Sequence, residues 1–580
     1  QPAEVQNEIQ AITAGLGRYM MTAAAGSVVA EDEYRATAPT TLQWTLDDGT
    51  MFTTAGRLRL VRVGEDWQID WDPGVIHDGL APGDVLVRER VTSPRAPILG
   101  AGGFELVGYR PVIQIGVVPR NVPDSGVLAD RLAQLFGVDA ADIGDLIRRS
   151  PSGEVLTLVE RRVEVVEPLR AELTTLPGVV LVEAEAMLTP YEGYGRALLG
   201  WAGEVTAEIL EQSPEYFEVG DIVGRSGLQA AYNEQLAGLP GFRVRIERRF
   251  PLRDQSGQEI PADADVNTVY LSAPPPPEAL RTTIDHDTQV AAERALAETQ
   301  LPSALVAVRA STGEVLAVAN GPGAAVQNNA LTGQFPPGSI LKIVTAYAAL
   351  AQGATPDEQV SCPPATVVDG KEFRNSDGHG FGDVTVRRAF AESCNTTFIQ
   401  LGLRLDPPTL PGVARLLGVG ADYNLGTPAF SGSVPTPGSP VDQAATAFGQ
   451  GQVLVSPLSM AVMSASVAAG SFNPPVLVTD RAIPGAGQAL APVVVDQLRQ
   501  MMADVVNGGT GRAAAAPGGQ VFGKTGTAEF GNDQPPVTHA WFVGFQGDVA
   551  FAVLIEGGGF GGSVAAPIAA RFLSLMADQG

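Results

Sequence analysis

The sequence predicts a multidomain α+β protein whose C-terminal half is built on an antiparallel sheet. Three observations support this. At 580 residues the chain has room for about three or four domains, and 45 % hydrophobic residues suffice for several packed cores. Four consecutive prolines in Ala273-Pro-Pro-Pro-Pro-Glu278 favour an extended linker and stop any helix, dividing the chain near its middle. Beyond that linker, strand-like hairpins stand at both ends of a helical stretch, so the termini of the second half are expected to close one sheet.

Along the first half, residues 1–78 contain alternating segments such as Arg57-Leu-Arg-Leu-Val-Arg62 and the aromatic pair Trp67 and Trp71, expected as the end of a small α+β module. Residues 79–272 mix β-like segments (Val112 to Val118, Val155 to Val166, Phe242 to Phe250) with helical ones (Leu128 to Leu135, Ala197 to Leu210) and carry no recognisable chemistry. After the 273–278 linker, Ala279 to Gln300 reads as a helix. Ala304 to Arg309 and Val315 to Val318 then read as a hairpin turning at Ser311-Thr-Gly313. At the far end, His539 to Phe545 and Val549 to Ile555 form a second hairpin, followed by a helix near Val564 to Met576.

The formal charge of −26 and the lack of any basic run argue against nucleic acid as a partner and against docking on anionic lipid. No apolar run approaches the ~18 residues of a membrane span. The chain starts at Gln1 without an initiator Met or a signal peptide, so an export or anchor segment, either a lipid-modified cysteine or a single helix, is expected to have been removed. Cys362 and Cys394 are the only cysteines. They can be unrelated buried thiols or, in an exported chain, a disulfide contributing about 3–4 kcal/mol by loop entropy.

Of 38 basic residues only three are lysine, Lys342, Lys371 and Lys524. Arginine serves almost everywhere a positive charge suffices, so a retained lysine suggests a task that needs a deprotonatable amine. Ser339-Ile-Leu-Lys342 opens an apolar helical pattern running to about Gly353. Three residues apart on a helix, the Lys342 amine can reach the Ser339 hydroxyl, and the helix N-terminus favours a developing oxyanion. Ser393-Cys394-Asn395 places a hydroxyl and a carboxamide on one loop, suited to relaying a proton and holding a substrate amide. Lys524-Thr525-Gly526-Thr527, after the strand-like Gln520 to Gly523, offers an ammonium and hydroxyls for a carboxylate, a Thr527 N–H for an oxyanion, and a glycine that lets substrate backbone approach.

Other motifs lead nowhere. Gly557-Gly-Gly-Phe-Gly-Gly562 fits a dinucleotide fingerprint, but too little chain follows for a Rossmann unit, so it is expected to be a flexible loop. His77, His286, His379 and His539 lack metal-ligand spacing and are expected to be structural or exposed. No Gly-x-Ser-x-Gly occurs, which disfavours a Ser-His-Asp hydrolase.

Ser-x-x-Lys, Ser-x-Asn and Lys-Thr-Gly in that order form the signature of penicillin-recognising serine enzymes. The chain resembles a high-molecular-weight class B penicillin-binding protein. The likeness also runs through Leu280-Arg-Thr-Thr-Ile-Asp285, Ser311 to Ala317, Phe448-Gly-Gln-Gly451 with Ser456-Pro457, and Ala540-Trp-Phe-Val-Gly-Phe545. The resemblance implies a transpeptidase domain at 279–580 with a five-stranded antiparallel sheet and helices. It also implies a pedestal or dimerisation domain at 79–272 and a shortened module similar to nuclear transport factor 2 at 1–78. It further implies peptidoglycan D,D-transpeptidase activity on stem peptides ending in D-Ala-D-Ala: Ser339 as nucleophile, Lys342 as general base, Ser393 as proton relay and Asn395 as substrate holder. Lys524 and Thr525 would then bind the terminal carboxylate, and the N–H groups of Ser339 and Thr527 would form the oxyanion hole. β-Lactams would acylate Ser339, no cofactor or metal is called for, and other cell-wall synthesis proteins are implied as partners at the extracytoplasmic face of the membrane. A Cys362–Cys394 disulfide is expected to brace the Ser393 loop. A D,D-carboxypeptidase, a β-lactamase-like hydrolase, and a silent β-lactam sensor or scaffold are the alternatives; the long front half argues against a lactamase.

Overall fold

The computed structural model describes all residues except 1, 48, 151–152, 213–216, 251–257, 260–264, 274, 325–326, 377, 482–486, 532–536 and 579–580. Pro274 of the expected linker therefore lies outside the described residues. The chain forms two compact units, the first made of 1–95, 205–221 and 234–278, the second of 96–204, 222–233 and 279–580. The segment 79–272 thus contributes to both.

In the first unit, strands Arg35–Leu46 and Met51–Val63 pair antiparallel, flanked by Tyr19–Ala25 and Asp66–Asp70. Burial alternates along Arg35–Leu46, the period-two pattern of a sheet with one face packed and one in water. Trp44 is fully buried and donates its indole N–H to Thr54 Oγ1 at 2.9 Å. Its core continues into the sheet Val85–Val91, Gly241–Glu247 and Thr268–Ser272 through Leu86, Val244 and Ile246.

In the second unit, Glu105–Val117 pairs with Leu156–Arg162 and Val179–Leu188 over helices Ser125–Phe136 and Ala140–Arg149. Asp124 and Asp139 cap those helices through their first free backbone N–H groups. Three elements differ from the sequence expectation. Leu156–Arg162 is a strand but Val163–Val166 turns helical. The expected helix 197–210 is broken into helix Arg196–Leu199 and strand Ala202–Glu204, which belong to this unit, and helix Ala207–Gln212, which belongs to the first. The break falls at Gly200, where φ is +72° and a Cβ would lie 1.8 Å from Ser226 O. Finally, Leu280–Arg281 is a strand paired with Ile98–Leu99, and the helix starts only at His286, because Asp285 Oδ1 caps Thr288 N at 2.9 Å.

The remainder of this unit is built on a five-stranded antiparallel sheet in the order Val315–Asn320, Ser303–Arg309, Val549–Ile555, Val537–Gln546, Phe522–Phe530. Helices His286–Leu296 and Ala565–Ala577 cover one face through Ala291, Ala295, Phe572 and Leu573. Helix Lys342–Ala351 is buried on all sides through residues 342–350 and is apolar but for Lys342, Thr345 and the Tyr347 hydroxyl, as befits a helix in the middle of a core. Among the described residues no helix is long and apolar enough to cross a membrane.

Candidate active site

Ser339 lies in a 3-10 turn, Gly338–Leu341, that leads into helix Lys342–Ala351, rather than in the first turn of the α-helix itself. The turn is forced by close packing. Gly338 has φ +55° and a Cβ there would lie 2.6 Å from Thr527 O; a Cβ on Gly449 would lie 1.9 Å from Gly338 O. Only glycine tolerates both the left-handed backbone and the approach. Ser339 therefore sits against the edge strand Phe522–Phe530, which pairs with Val537–Gln546 on one side only.

The Lys342 side chain is completely buried. Its Nζ lies 2.6 Å from Ser393 O, 2.7 Å from Asn395 Oδ1, 3.0 Å from Ser339 Oγ and 3.2 Å from Ser393 Oγ. Burial first, and the neighbouring Lys524 charge second, hold its pKa well below the usual lysine value. A neutral amine has two N–H groups and one lone pair. With both N–H groups donated to Ser393 O and Asn395 Oδ1, the lone pair is left for the Ser339 hydroxyl proton. In the ammonium that results, two protons stay on those two oxygens and the third lies within reach of Ser339 Oγ and Ser393 Oγ.

Ser393 is one of two non-glycine residues with positive φ among those described, at +60°. Such a conformation costs on the order of 1–3 kcal/mol and persists only where surroundings impose it. Here Ser393 N donates to Phe390 O and Cys394 N to Ala389 O, closing the end of helix Val386–Ala391. The resulting turn directs Ser393 Oγ between the two lysines, 2.8 Å from Lys524 Nζ. Lys524, also fully buried, donates to Thr525 O at 3.0 Å, and burial lowers its pKa to about 7. Each amine rests above a ring, Lys342 over Phe398 and Lys524 over Phe390. Cys362 and Cys394 are joined in a disulfide that ties strand Gln359–Cys362 to this loop.

A cleft of about 330 Å³ opens over these groups, lined by Ser339, Ser393, Thr525 and Thr527. Thr525 Oγ1 is 2.6 Å from Thr510 Oγ1. At Gly526, a Cβ would lie 2.8 Å from Ile340 and 2.9 Å from Pro337 O, so the glycine of the Lys-Thr-Gly motif serves internal packing against the serine turn. All eight residues singled out around the Ser339, Ser393 and Lys524 motifs are thus drawn to one cleft or directly beneath it.

Sequence reasoning missed several lining residues: Asn375, Phe381, Glu392, Thr510, Phe560 and Ser563. Thr510 had a faint signal in the glycines around it, Gly508-Gly-Thr-Gly511; Asn375 had none. The glycine run 557–562, expected from sequence to be a flexible loop, forms part of the wall. A Cβ on Gly561 would lie 2.3 Å from both Gly526 O and Trp541 O, and Gly561 N donates to Thr527 Oγ1 at 3.3 Å. His539 is buried, stacked on Phe530 with ring centroids 3.9 Å apart, and accepts from Gly557 N. Desolvation lowers its pKa to about 4. His77 accepts from Gly79 N and has its pKa lowered, chiefly by burial; His286 stacks on Phe104. Among the described residues no group of three or more His, Cys, Asp or Glu could hold a metal ion.

A serine on the turn that leads into a buried helix, facing the open edge of a five-stranded antiparallel sheet with two buried lysines beside it, defines the penicillin-recognising class of serine enzymes. Family comparison agrees along nearly the whole chain. The penicillin binding protein transpeptidase domain matches residues 303–574, the penicillin-binding protein dimerisation domain 90–249, and the NTF2-like N-terminal transpeptidase domain 1–84. The chain belongs to the class B penicillin-binding proteins. Its relatives include peptidoglycan D,D-transpeptidase PbpA of Mycobacterium tuberculosis, 36 % identical over 43 % of this chain and 56 % of that protein. The match thus spans little more than half of PbpA. Stage V sporulation protein D of Bacillus subtilis is 27 % identical over 83 % of this chain and 77 % of that one. Among solved structures, a chain of a penicillin-binding protein 2 complex with MreC from Helicobacter pylori superimposes with TM-score 0.62 at 19 % identity, covering 86 % of this chain and all of the other. A chain of a peptidoglycan synthase complex that coordinates polymerisation and cross-linking does so with TM-score 0.65 at 25 % identity, covering 85 % and 92 %.

Proposed function

We propose that this chain is a peptidoglycan D,D-transpeptidase acting through an acyl-enzyme on Ser339. The observation that carries the reading is the buried Lys342 amine, whose two hydrogen-bond acceptors leave its lone pair to Ser339 Oγ at 3.0 Å. In the first half-reaction Ser339 Oγ bonds to the penultimate D-Ala carbonyl carbon while its proton passes to Lys342 Nζ. The bond to terminal D-Ala breaks, and the departing amine takes a proton through Ser393 Oγ, which lies within reach of both lysines. In the second, the amine of a neighbouring stem peptide attacks the acyl carbon, loses a proton back along the same path, and Ser339 regains its own.

Asn395 holds the lysine and meets the substrate backbone in this reading. Lys524, Thr525 and the adjoining Thr510 receive the terminal carboxylate. The N–H groups of Ser339 and Thr527 serve the oxyanion, supported by the packing of the serine turn on Thr527. Gly526 lets the strand lie close to that turn. A donor peptide can lie along the open edge of Phe522–Phe530 as an added strand. The module bounds 1–78, 79–272, 273–278 and 279–580 belong to the same proposal, with the family matches as their support. So does an extracytoplasmic site of action, which the Cys362–Cys394 pair fits, since disulfides persist in oxidising compartments. Other cell-wall synthesis proteins are the proposed partners of the front modules.

The test is covalent labelling with a fluorescent penicillin, followed by intact mass and the lifetime of the adduct. A single, slowly released adduct on the wild type, absent from Ser339→Ala, is expected. Labelling that survives in Ser339→Ala, or rapid turnover of the adduct, would overturn it in favour of another nucleophile or of a lactamase.

A further inference from the structure

Asn375 is 7 % exposed and follows strand Lys371–Arg374 at the cleft wall. Its carboxamide is fully used. Oδ1 accepts from Asn395 N at 2.9 Å and Thr396 N at 3.2 Å, the first free N–H groups of helix Asn395–Leu403. Nδ2 donates to His379 O at 2.7 Å and Pro363 O at 3.1 Å. Because one end meets only donors and the other only acceptors, the orientation of the amide is unambiguous. The neighbouring Arg374 O accepts from Asn395 Nδ2 at 2.9 Å. Residues 374 and 375 therefore grip Asn395 by both its backbone N–H and its side-chain amide, leaving Oδ1 as the end that faces Lys342 Nζ at 2.7 Å.

We propose that Asn375 is a positioning residue for Lys342: through Asn395 it fixes the acceptor that orients the lysine amine toward Ser339. This rests on the reading of Ser339 and Lys342 given above. The other acceptor of the amine is Ser393 O at 2.6 Å, a backbone atom fixed by the turn at 393 and not by Asn375. Lys524 approaches from the edge strand and acts through its charge, Phe398 supplies only a ring, and Glu392 at the cleft wall is engaged by Arg388 at 2.6 Å. With Asn375 removed, two N–H groups in a buried place lose their acceptor, and Asn395 is held only through Arg374 O. Water then reaches Lys342, its ammonium is better solvated, and a higher pH is needed to empty its lone pair.

The experiment measures the second-order rate of acylation by a fluorescent penicillin against pH, on the full chain, for wild type, Asn375→Ala and Asn375→Ser. Thermal unfolding of each is followed in parallel. Both variants are expected to react at least about tenfold more slowly at pH 7.5, with the acid limb of the profile moved up by roughly one pH unit. A slower reaction with an unmoved limb, an unchanged rate, or loss of the folded state in both variants would make Asn375 structural only and overturn the assignment. Failure of the wild type itself to be acylated would instead overturn the transpeptidase reading, and this inference with it.

Discussion

Lys524 Nζ donates to Ser393 Oγ at 2.8 Å, so the hydroxyl proposed as the relay is held by the lysine of the edge strand as well as by that of the serine helix. Two buried amines 182 positions apart in sequence meet at one oxygen. Only one can be an ammonium without a large electrostatic penalty, because their mutual repulsion in a buried site is weakly screened. Lys342, lowered both by burial and by the Lys524 charge and with Ser393 O and Asn395 Oδ1 to take two N–H groups, is the one proposed to be neutral.

Replacing Lys342 by arginine tests that assignment. A guanidinium is a cation at any workable pH and cannot accept the Ser339 proton. Lys342→Arg should therefore lower the acylation rate by on the order of 10³-fold, with no recovery between pH 7 and 10. A rate that climbs with pH in the variant, measured by stopped-flow or gel labelling, would show that Lys342 is not the base.

Lys524 makes stability depend on pH in a defined direction. Its folded pKa is about 7, below the value near 10.4 of an unfolded lysine. Between those two pH values the unfolded chain binds more protons than the folded one, so this residue's contribution raises stability as pH rises from about 7 toward 10. Lys524→Met removes the group while keeping its length. The difference in unfolding free energy, wild type minus variant, should increase between pH 7 and pH 9 by on the order of a few kcal/mol. A flat difference in urea titrations at the two pH values would contradict the burial of a titrating amine there.

Much of this site could be read from the sequence because its chemistry lies in short segments. Ser339 and Lys342 share one turn, Ser393 and Asn395 one loop, and Lys524 to Thr527 one strand, so spacing alone relates each pair. What could not be read are contacts that exist only after folding. Asn375 acts through backbone N–H groups at 395 and 396, and nothing local marks an asparagine for that role. Thr510 matters because helix Pro492–Asn507 delivers it beside Thr525. Residues 279–285 read as helix from sequence for the same reason: the pairing of Leu280–Arg281 with Ile98–Leu99 reaches across most of the first half, beyond any sequence window.

Opening the Cys362–Cys394 bridge should loosen the Ser393 turn. Loop entropy for a separation of 32 residues corresponds to about 3–4 kcal/mol of global stability. Because Cys394 directly follows the strained Ser393 and caps helix Asn395–Leu403, acylation should slow as well. Cys362→Ser with Cys394→Ser is expected to lower the unfolding free energy by that amount and the penicillin reaction rate by about tenfold. Denatured, unreduced wild type should titrate no free thiol; two thiols per chain would contradict the bridge and its role at the Ser393 turn.

The glycine run after the sheet offers the sharpest geometric test. Gly561 lies so close to the edge strand that a Cβ would come within 2.3 Å of two backbone carbonyls, Gly526 O and Trp541 O, neither of which can move without disturbing the sheet. Alanine there must push the loop outward, breaking the Gly561 N–H bond to Thr527 Oγ1 and shifting Phe560 at the cleft wall. Gly412, inside helix Thr409–Leu416 and not among the cleft-lining residues, is the comparison: a Cβ there would meet nothing within 4 Å. Gly561→Ala should therefore slow acylation by at least about tenfold, the cost of moving cleft groups by an ångström or so, whereas Gly412→Ala should leave the rate within about twofold, as expected of an unstrained substitution. Equal rates for the two variants would mean that the glycine loop does not shape the cleft.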